Sequence, residues 1–165
     1  MTAAQVTAYV GLGSNLADPR AQVERALAAL EQLPYARLAR RSHLYACAPW
    51  GVVDQPEFVN AVAQLETRQT AMDLMQALLA IERASGRERN GTRWGPRILD
   101  LDLLLYGDSV IDEPGLHVPH PHLHERAFVL LPLAEIAPQL VLPGRGPVAA
   151  LVQAIDAAAC RRLEA

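Results

Sequence analysis

The chain has 165 residues, 51% hydrophobic and 20% charged, enough for one globular domain that buries roughly 70% of its unfolded surface. A net charge of −3 argues against affinity gained by neutralising many nucleic-acid phosphates, and no apolar run reaches the roughly 20 residues of a membrane helix, because Pro132 breaks the stretch from Phe128 to Leu133. All fifteen basic residues are arginine, which excludes a Walker-type phosphate loop and Schiff-base catalysis, both of which need lysine.

Gln5 to Gly11 alternates like a strand, with Val6, Ala8 and Val10 on one face and Thr7 and Tyr9 on the other. It runs into the turn Gly11 to Asn15, which lacks the third glycine of a dinucleotide fingerprint. Asp18 followed by Pro19 marks a helix start, and Val23, Ala26, Leu27 and Leu30 then recur at helical spacing until Pro34. Arg37 to Ala46 and Glu57 to Thr67 read as two further strands. The segment between them, Cys47 to Pro56, is rich in breakers and too long for a tight turn, the kind of loop that often carries function.

Thr70, with Asp73, caps a second helix whose stripe of Leu74, Met75, Leu78 and Ile81 runs to a stop at Gly86. A strand follows from Ile98 to Tyr106. The order strand-helix-strand-strand-helix-strand predicts a ferredoxin-like α/β (α+β) βαββαβ core, with both helices on one sheet face and the other face open for ligands. After Gly107 comes a C-terminal extension: a proline- and histidine-rich loop from Pro114 to His124, a helix near Phe128 to Ile136, and a packing helix from Pro147 to Leu163. There are no repeats, so residues 1–165 are expected to form a single domain. Cys47 and Cys160 lie far apart and nothing at the N-terminus resembles an export signal, which makes a reducing cytoplasm the expected compartment.

Three clusters point to chemistry. In Ile98 to Leu105, alternation puts Leu99, Leu101, Leu103 and Leu105 on one face and Asp100 and Asp102 on the other, with the two α-carbons roughly 6.5 to 7 Å apart. Two such carboxylates suit a pair of magnesium ions. Arg87, Arg89, Arg93 and Arg97 precede that strand, and forked cationic donors beside carboxylates suit a polyphosphate. Glu82 stands at the edge of the second helix's apolar stripe, close to where the arginines begin. Phe58 and Asn60 share a strand face, presenting an aromatic plate beside an amide that fits a flat heterocycle.

His117, His120, His122 and His124 suggest zinc by proximity, but their irregular spacing and the lack of nearby cysteines rank that below phosphate binding. The arginine-rich segment with Trp94 also leaves open an RNA-binding module on a ferredoxin-like sheet, and the aspartate pair leaves open a metal-dependent phosphodiesterase.

Gly-Leu-Gly-Ser-Asn-Leu (11–16), Asp-Gln-Pro-Glu-Phe-Val-Asn (54–60), Arg-Trp-Gly-Pro-Arg-Ile-Leu-Asp-Leu-Asp (93–102) and Val-Pro-His-Pro (118–121) occur in that order along nearly the whole chain. The set strongly resembles the 6-hydroxymethyl-7,8-dihydropterin pyrophosphokinases of folate biosynthesis. That resemblance implies a ferredoxin-like fold, transfer of the β,γ-pyrophosphoryl group of ATP to the pterin hydroxymethyl with release of AMP, and two Mg2+ ions. It also implies roles by position. Asp100 and Asp102 would hold the metals, with Asp100 also orienting the attacking hydroxyl. Arg87, Arg97, His120 and Arg126 would hold phosphates, Glu82 would support that array, and Arg89 and Arg93 would act from a mobile loop.

The pterin would stack between Phe58 and Phe128, read along its edge by Asn60 and by backbone near Cys47 and Ala48, with Trp50 and Trp94 closing over it. Cys47, Ala48 and Trp50 stand where threonine, proline and leucine are more common in the family. Glycines and prolines at the borders of 47–56 and 86–97 suggest that both segments close on substrates. The chain is expected to act on small molecules as a cytoplasmic monomer, with no nucleic-acid or membrane partner.

Overall fold

The computed structural model describes residues 4–49, 54–85 and 98–164. The first strand, β1 (Val6–Ser14), extends three residues beyond the predicted Gly11 and takes in both glycines of the expected turn. Its successor, α1 (Pro19–Glu31), starts where Asp18 accepts the Ala21 N–H and Pro19 fills the first turn. The extended run 37–46 is two strands, β2 (Ala36–Arg41) and β3 (Tyr45–Cys47). They separate at Ser42, whose backbone N–H and side-chain Oγ engage the Val62 carbonyl and N–H respectively. Next come β4 (Phe58–Thr67), α2 (Ala71–Ala84), capped by Thr70 Oγ1 accepting the Asp73 N–H at 3.1 Å, and β5 (Asp100–Tyr106).

The extension supplies the hairpin β6 (Ile111–Glu113) and β7 (Leu116–Val118), a single 3-10 turn at Leu123–Glu125, and α3 (Ala127–Ile136). The short pair β8 (Val141–Leu142) and β9 (Gly146–Pro147) follows, then α4 (Val148–Gln153). The expected helix from Pro147 to Leu163 stops there. Asp156 caps a new 3-10 turn by accepting the Ala158 N–H, and Cys160–Arg162 form a strand, β10. Alanine's helix propensity of a few tenths of a kcal/mol per residue loses to pairing with an otherwise unpaired sheet edge.

The main sheet runs β10-β3-β4-β1-β5, with β2 also on β4, and every pairing is antiparallel. Its core is the ferredoxin-like βαββαβ arrangement. On one face α1 and α2 bury Val23, Leu27, Leu30, Leu74 and Leu78 against Val10, Leu12, Ala63, Leu65, Leu101 and Leu103. The opposite face is not open, as expected, along its whole length. There α3, β8 and α4 cover Tyr9, Val62, Leu104 and Leu105 with Val129, Leu130, Leu133, Leu142 and Val148. The far end of this face, around Phe58, Asp100 and Asp102, stays half-buried.

One register shift corrects the leucine alternation. Tyr9 pairs with Leu105 but Val10 with Leu103, so Leu104 is an extra residue in β5. The bulge sends Leu105 to the α3 face, whereas Leu99, Leu101 and Leu103 stay on the helix face. It also turns the Leu104 carbonyl toward the extension, where it accepts the His120 N–H at 3.0 Å.

Candidate active site

Antiparallel register brings residues distant in sequence into rows across the half-covered face. Asp100 pairs with Gly13, Gly13 with Asn60, and Asn60 with Tyr45; one row along, Asp102 pairs with Gly11 and Gly11 with Val62. Phe58 pairs with Cys47 at the end of β3. Both aspartates and the Phe58–Asn60 pair therefore share one face of one sheet. The two glycines of β1 leave the strip between them without side chains.

Gly13 is needed for a close approach. A Cβ there would sit 2.7 Å from Asn60 Nδ2 and 3.8 Å from Phe58 Cδ1, nearer to the amide than a real carbon comes. Asn60 is 5% exposed, its Nδ2 donates to the Leu12 carbonyl at 3.4 Å, and its Oδ1 is buried with no hydrogen-bond partner among the described residues. A buried acceptor of this kind costs about 1–3 kcal/mol unless something donates to it. Gly13 escaped notice as a site residue, although the period-two spacing of Gly11 and Gly13 was its signal in the sequence. Asn15, also missed, donates Nδ2 to Gln55 Oε1 at 2.9 Å and to the Pro56 carbonyl at 3.0 Å, tying the end of β1 to the approach to β4.

At the other end of the row, Glu82 is 2% exposed and its Oε2 accepts the Leu101 N–H at 2.6 Å. This bond to Leu101, the residue between the two aspartates, fixes the strand that carries them. Arg126, 5% exposed, places Nη1 3.9 Å from Asp102 Oδ2 and stacks its guanidinium over the Phe128 ring at 5.3 Å. Thus the residue before α3 and the second residue of that helix both face the site.

His120 follows the hairpin. Burial, with help from Arg126, His122 and His117, holds its imidazole down to about 4, so it is neutral at pH 7. Its Nδ1 accepts the His122 N–H at 3.2 Å, which assigns the ring proton to Nε2. The other histidines do not converge on a metal. His117 pairs with Asp112 at 2.8 Å, and His122 and His124 both lie against Glu125. Among the described residues no group of three histidine, cysteine or acidic side chains is placed to hold a metal by itself.

Cys47 and Cys160 form a disulfide, with α-carbons 4.1 Å apart across β3 and β10. Two cysteines separated by 113 residues gave no pairing signal in the sequence. Ala48 follows directly, its N–H held by the Ala159 carbonyl at 2.8 Å. The structure thus brings Cys47, Ala48, Phe58, Asn60, Glu82, Asp100, Asp102, His120, Arg126 and Phe128 to one end of the sheet. Trp50, Arg87, Arg89, Arg93, Trp94 and Arg97 lie outside the described residues.

Residues 9–138 match the family of 7,8-dihydro-6-hydroxymethylpterin-pyrophosphokinase. Similar sequences include the 2-amino-4-hydroxy-6-hydroxymethyldihydropteridine pyrophosphokinase of Pseudomonas aeruginosa, 56% identical over 82% of this chain and 83% of that one. The Haemophilus influenzae protein of the same name is 46% identical over 90% of this chain and 92% of that one. The fold is also that of the Plasmodium falciparum HPPK-DHPS crystal structure with pterin and p-hydroxybenzoate. The TM-score is 0.77 at 14% identity, over all of this chain and 46% of the longer Plasmodium chain.

Proposed function

We infer how this protein works from one premise: the chain belongs to the 7,8-dihydro-6-hydroxymethylpterin-pyrophosphokinase family. It is an ATP-dependent diphosphotransferase that moves pyrophosphate from ATP to 6-hydroxymethyl-7,8-dihydropterin in folate biosynthesis. The observation that carries our assignment of the site is the buried Oδ1 of Asn60, without a partner among the described residues, beside side-chain-free Gly13 and in one row with Asp100.

Asp100 and Asn60 are two strand spacings apart, roughly 10 Å between α-carbons. That span suits a bicyclic ring whose N–H groups donate to Asn60 while its hydroxymethyl arm points to Asp100. Phe58 and Phe128 supply apolar faces for the ring, and backbone at Cys47 and Ala48, with Trp50 and Trp94, completes its surroundings.

The donor set fits magnesium. Asp100 and Asp102 offer hard carboxylate oxygens on one face, and magnesium commonly takes only one or two protein carboxylates, filling its remaining positions with water and substrate phosphate. We assign two Mg2+ ions to this pair; when bound, they neutralise phosphate charge and template the transfer. Asp100 orients the attacking hydroxyl. Arg126 places a buried positive charge beside Asp102 and the phosphates, and neutral His120 donates from Nε2 to a phosphate oxygen. Arg87 and Arg97 join them, Arg89 and Arg93 stabilise the transferred group, and Glu82 holds β5 in place. Phosphoryl transfer depends mainly on alignment and charge stabilisation, so no separate general base is required of the protein.

We further propose that residues 1–165 act as one domain, as a monomer, in the cytoplasm; no helix among the described residues is long and apolar enough to cross a membrane. The test mixes the protein with ATP, Mg2+ and the reduced pterin and identifies the nucleotide product. AMP in step with pterin diphosphate is expected. ADP, or nucleotide hydrolysis that does not need the pterin, would overturn the assignment.

A further inference from the structure

The Cys47–Cys160 pair sits where a change of oxidation state reaches the site described above. Cys47 is fully buried and ends β3; its register partner on β4 is Phe58, and the next residue, Ala48, is held through its N–H by the Ala159 carbonyl. Cys160 opens β10, a three-residue edge strand whose Arg161 and Arg162 are exposed. The non-covalent hold on β10 is made at the sheet edge. Among the described residues it includes short backbone pairing, the Leu163 N–H to Leu44 carbonyl bond, Leu163 packed against the main core, an Arg162–His43 contact at 3.3 Å, an Arg161–Glu57 ion pair with both side chains more than half exposed, and a contact between Arg20 and the Glu164 carbonyl. Exposed ion pairs contribute little. The disulfide is the covalent fastening of the C-terminal strand to the wall formed by Cys47 and Ala48.

We propose that Cys47 and Cys160 form a reversible thiol–disulfide modification site that sets pterin affinity through the Cys47–Ala48 wall. In the reducing compartment proposed above, disulfides are typically transient and sensing. The inference rests on the assignment of that wall to the pterin. Cys160 is half-buried and Cys47 is fully buried, so a small thiolate of the glutathione class attacks at Cys160. The S–S bond breaks, its electron pair and a proton go to Cys47 Sγ, and a mixed disulfide forms on Cys160. A second thiol then displaces Cys160 as a thiol and leaves as the small disulfide. Two reductant thiols are oxidised for each protein disulfide reduced. Reduction frees β10, removes the Ala159 carbonyl from the Ala48 N–H, and leaves the wall in place for only part of the time.

The full-length protein is equilibrated with glutathione disulfide or with excess glutathione and assayed in three ways. After denaturation, the oxidised protein should show no thiols reactive with maleimide and the reduced protein two. Amide exchange at Ala48 should be faster in the reduced protein. The KM for pterin should rise about three- to tenfold on reduction while the KM for ATP stays constant, because apparent affinity scales with the fraction of protein in the competent conformation. Cys160→Ser should show the reduced protein's pterin KM under both conditions.

Two free thiols in the oxidised sample, or equal Ala48 exchange in both states, would overturn the latch whether or not the protein makes AMP. AMP formation with one pterin KM in both states would overturn its link to the site. Absence of AMP in both states would strike the assigned activity instead, leaving thiol count and exchange to decide the latch.

Discussion

Gly13→Ala tests the geometry of the site most directly. The added methyl would lie 2.7 Å from Asn60 Nδ2, inside the 3.0 Å limit of real Cβ contacts. The atom in its way is the tip of a side chain, so the amide can rotate and the backbone need not move. Rotation breaks the 3.4 Å contact of Nδ2 with the Leu12 carbonyl and swings Oδ1 out of its buried position. Losing one or two aligned hydrogen bonds to a ring in a buried site amounts to about 1.4 to 2.8 kcal/mol, a roughly 10- to 100-fold rise in the pterin KM.

Initial rates of AMP formation, with pterin varied at saturating ATP and then the reverse, should show that rise for pterin and none for ATP. Thermal unfolding should move by only about 3 °C or less, since alanine regains strand entropy that glycine loses. Gly11→Ala is the control. Its Cβ would meet Leu104 Cδ2 at 3.4 Å, at the edge of ordinary contact, and should change the pterin KM by less than about threefold. If both variants behave alike, or Gly13→Ala keeps the parent KM, the placement of the pterin edge at Asn60 is wrong.

Asp102→Ala should lower turnover by at least about 100-fold and abolish the normal Mg2+ dependence without altering the circular dichroism spectrum; a near-normal rate would remove its metal role. Glu82→Ala leaves the buried Leu101 N–H without its acceptor, a loss of about 2 kcal/mol or roughly 4–8 °C in Tm, while Glu82→Gln, which keeps an acceptor oxygen, should lose less; equal melting of all three proteins would show that this bond does not hold β5. Between the ordinary 6.5 of an unfolded imidazole and the about 4 of folded His120 the unfolded chain binds the extra proton. Stability should therefore fall as pH drops from about 7 to 4, by up to about 3 kcal/mol, and His120→Asn should flatten that slope in urea titrations. An unchanged slope would mean that His120 is not buried neutral.

How much of this was legible beforehand differs from element to element. The caps of α1 and α2 at Asp18 and Thr70 and the stripes of Leu27, Leu30, Leu74 and Leu78 depend on contacts three or four residues apart, so their physics is local and the strings of letters display it. The placing of Asp100 and Asp102 on one strand face is equally local, a consequence of period-two geometry. By contrast, alternation alone could not foresee the extra residue at Leu104, because a bulge arises where two strands of independent length must pair. The resulting turn of Leu105 to the α3 face and the capture of the His120 N–H are consequences of that pairing.

The sequence by itself determined the βαββαβ order of the core, the aspartate pair, the candidate partners around it and, through its motifs, the family. Tertiary structure decided what lies beside what: Gly13 between Asn60 and Asp100, Glu82 on the Leu101 N–H, Arg126 beside Asp102, and Cys160 on Cys47. It also replaced a propensity-favoured C-terminal helix with β10 and laid α3 over a face expected to be open. The reason is range. Helix and strand preferences are set within a few residues, whereas register, edge pairing and the cover of a sheet face depend on contacts between distant segments, such as Cys47 and Cys160, 113 residues apart, whose free energies exist only once the chain has folded.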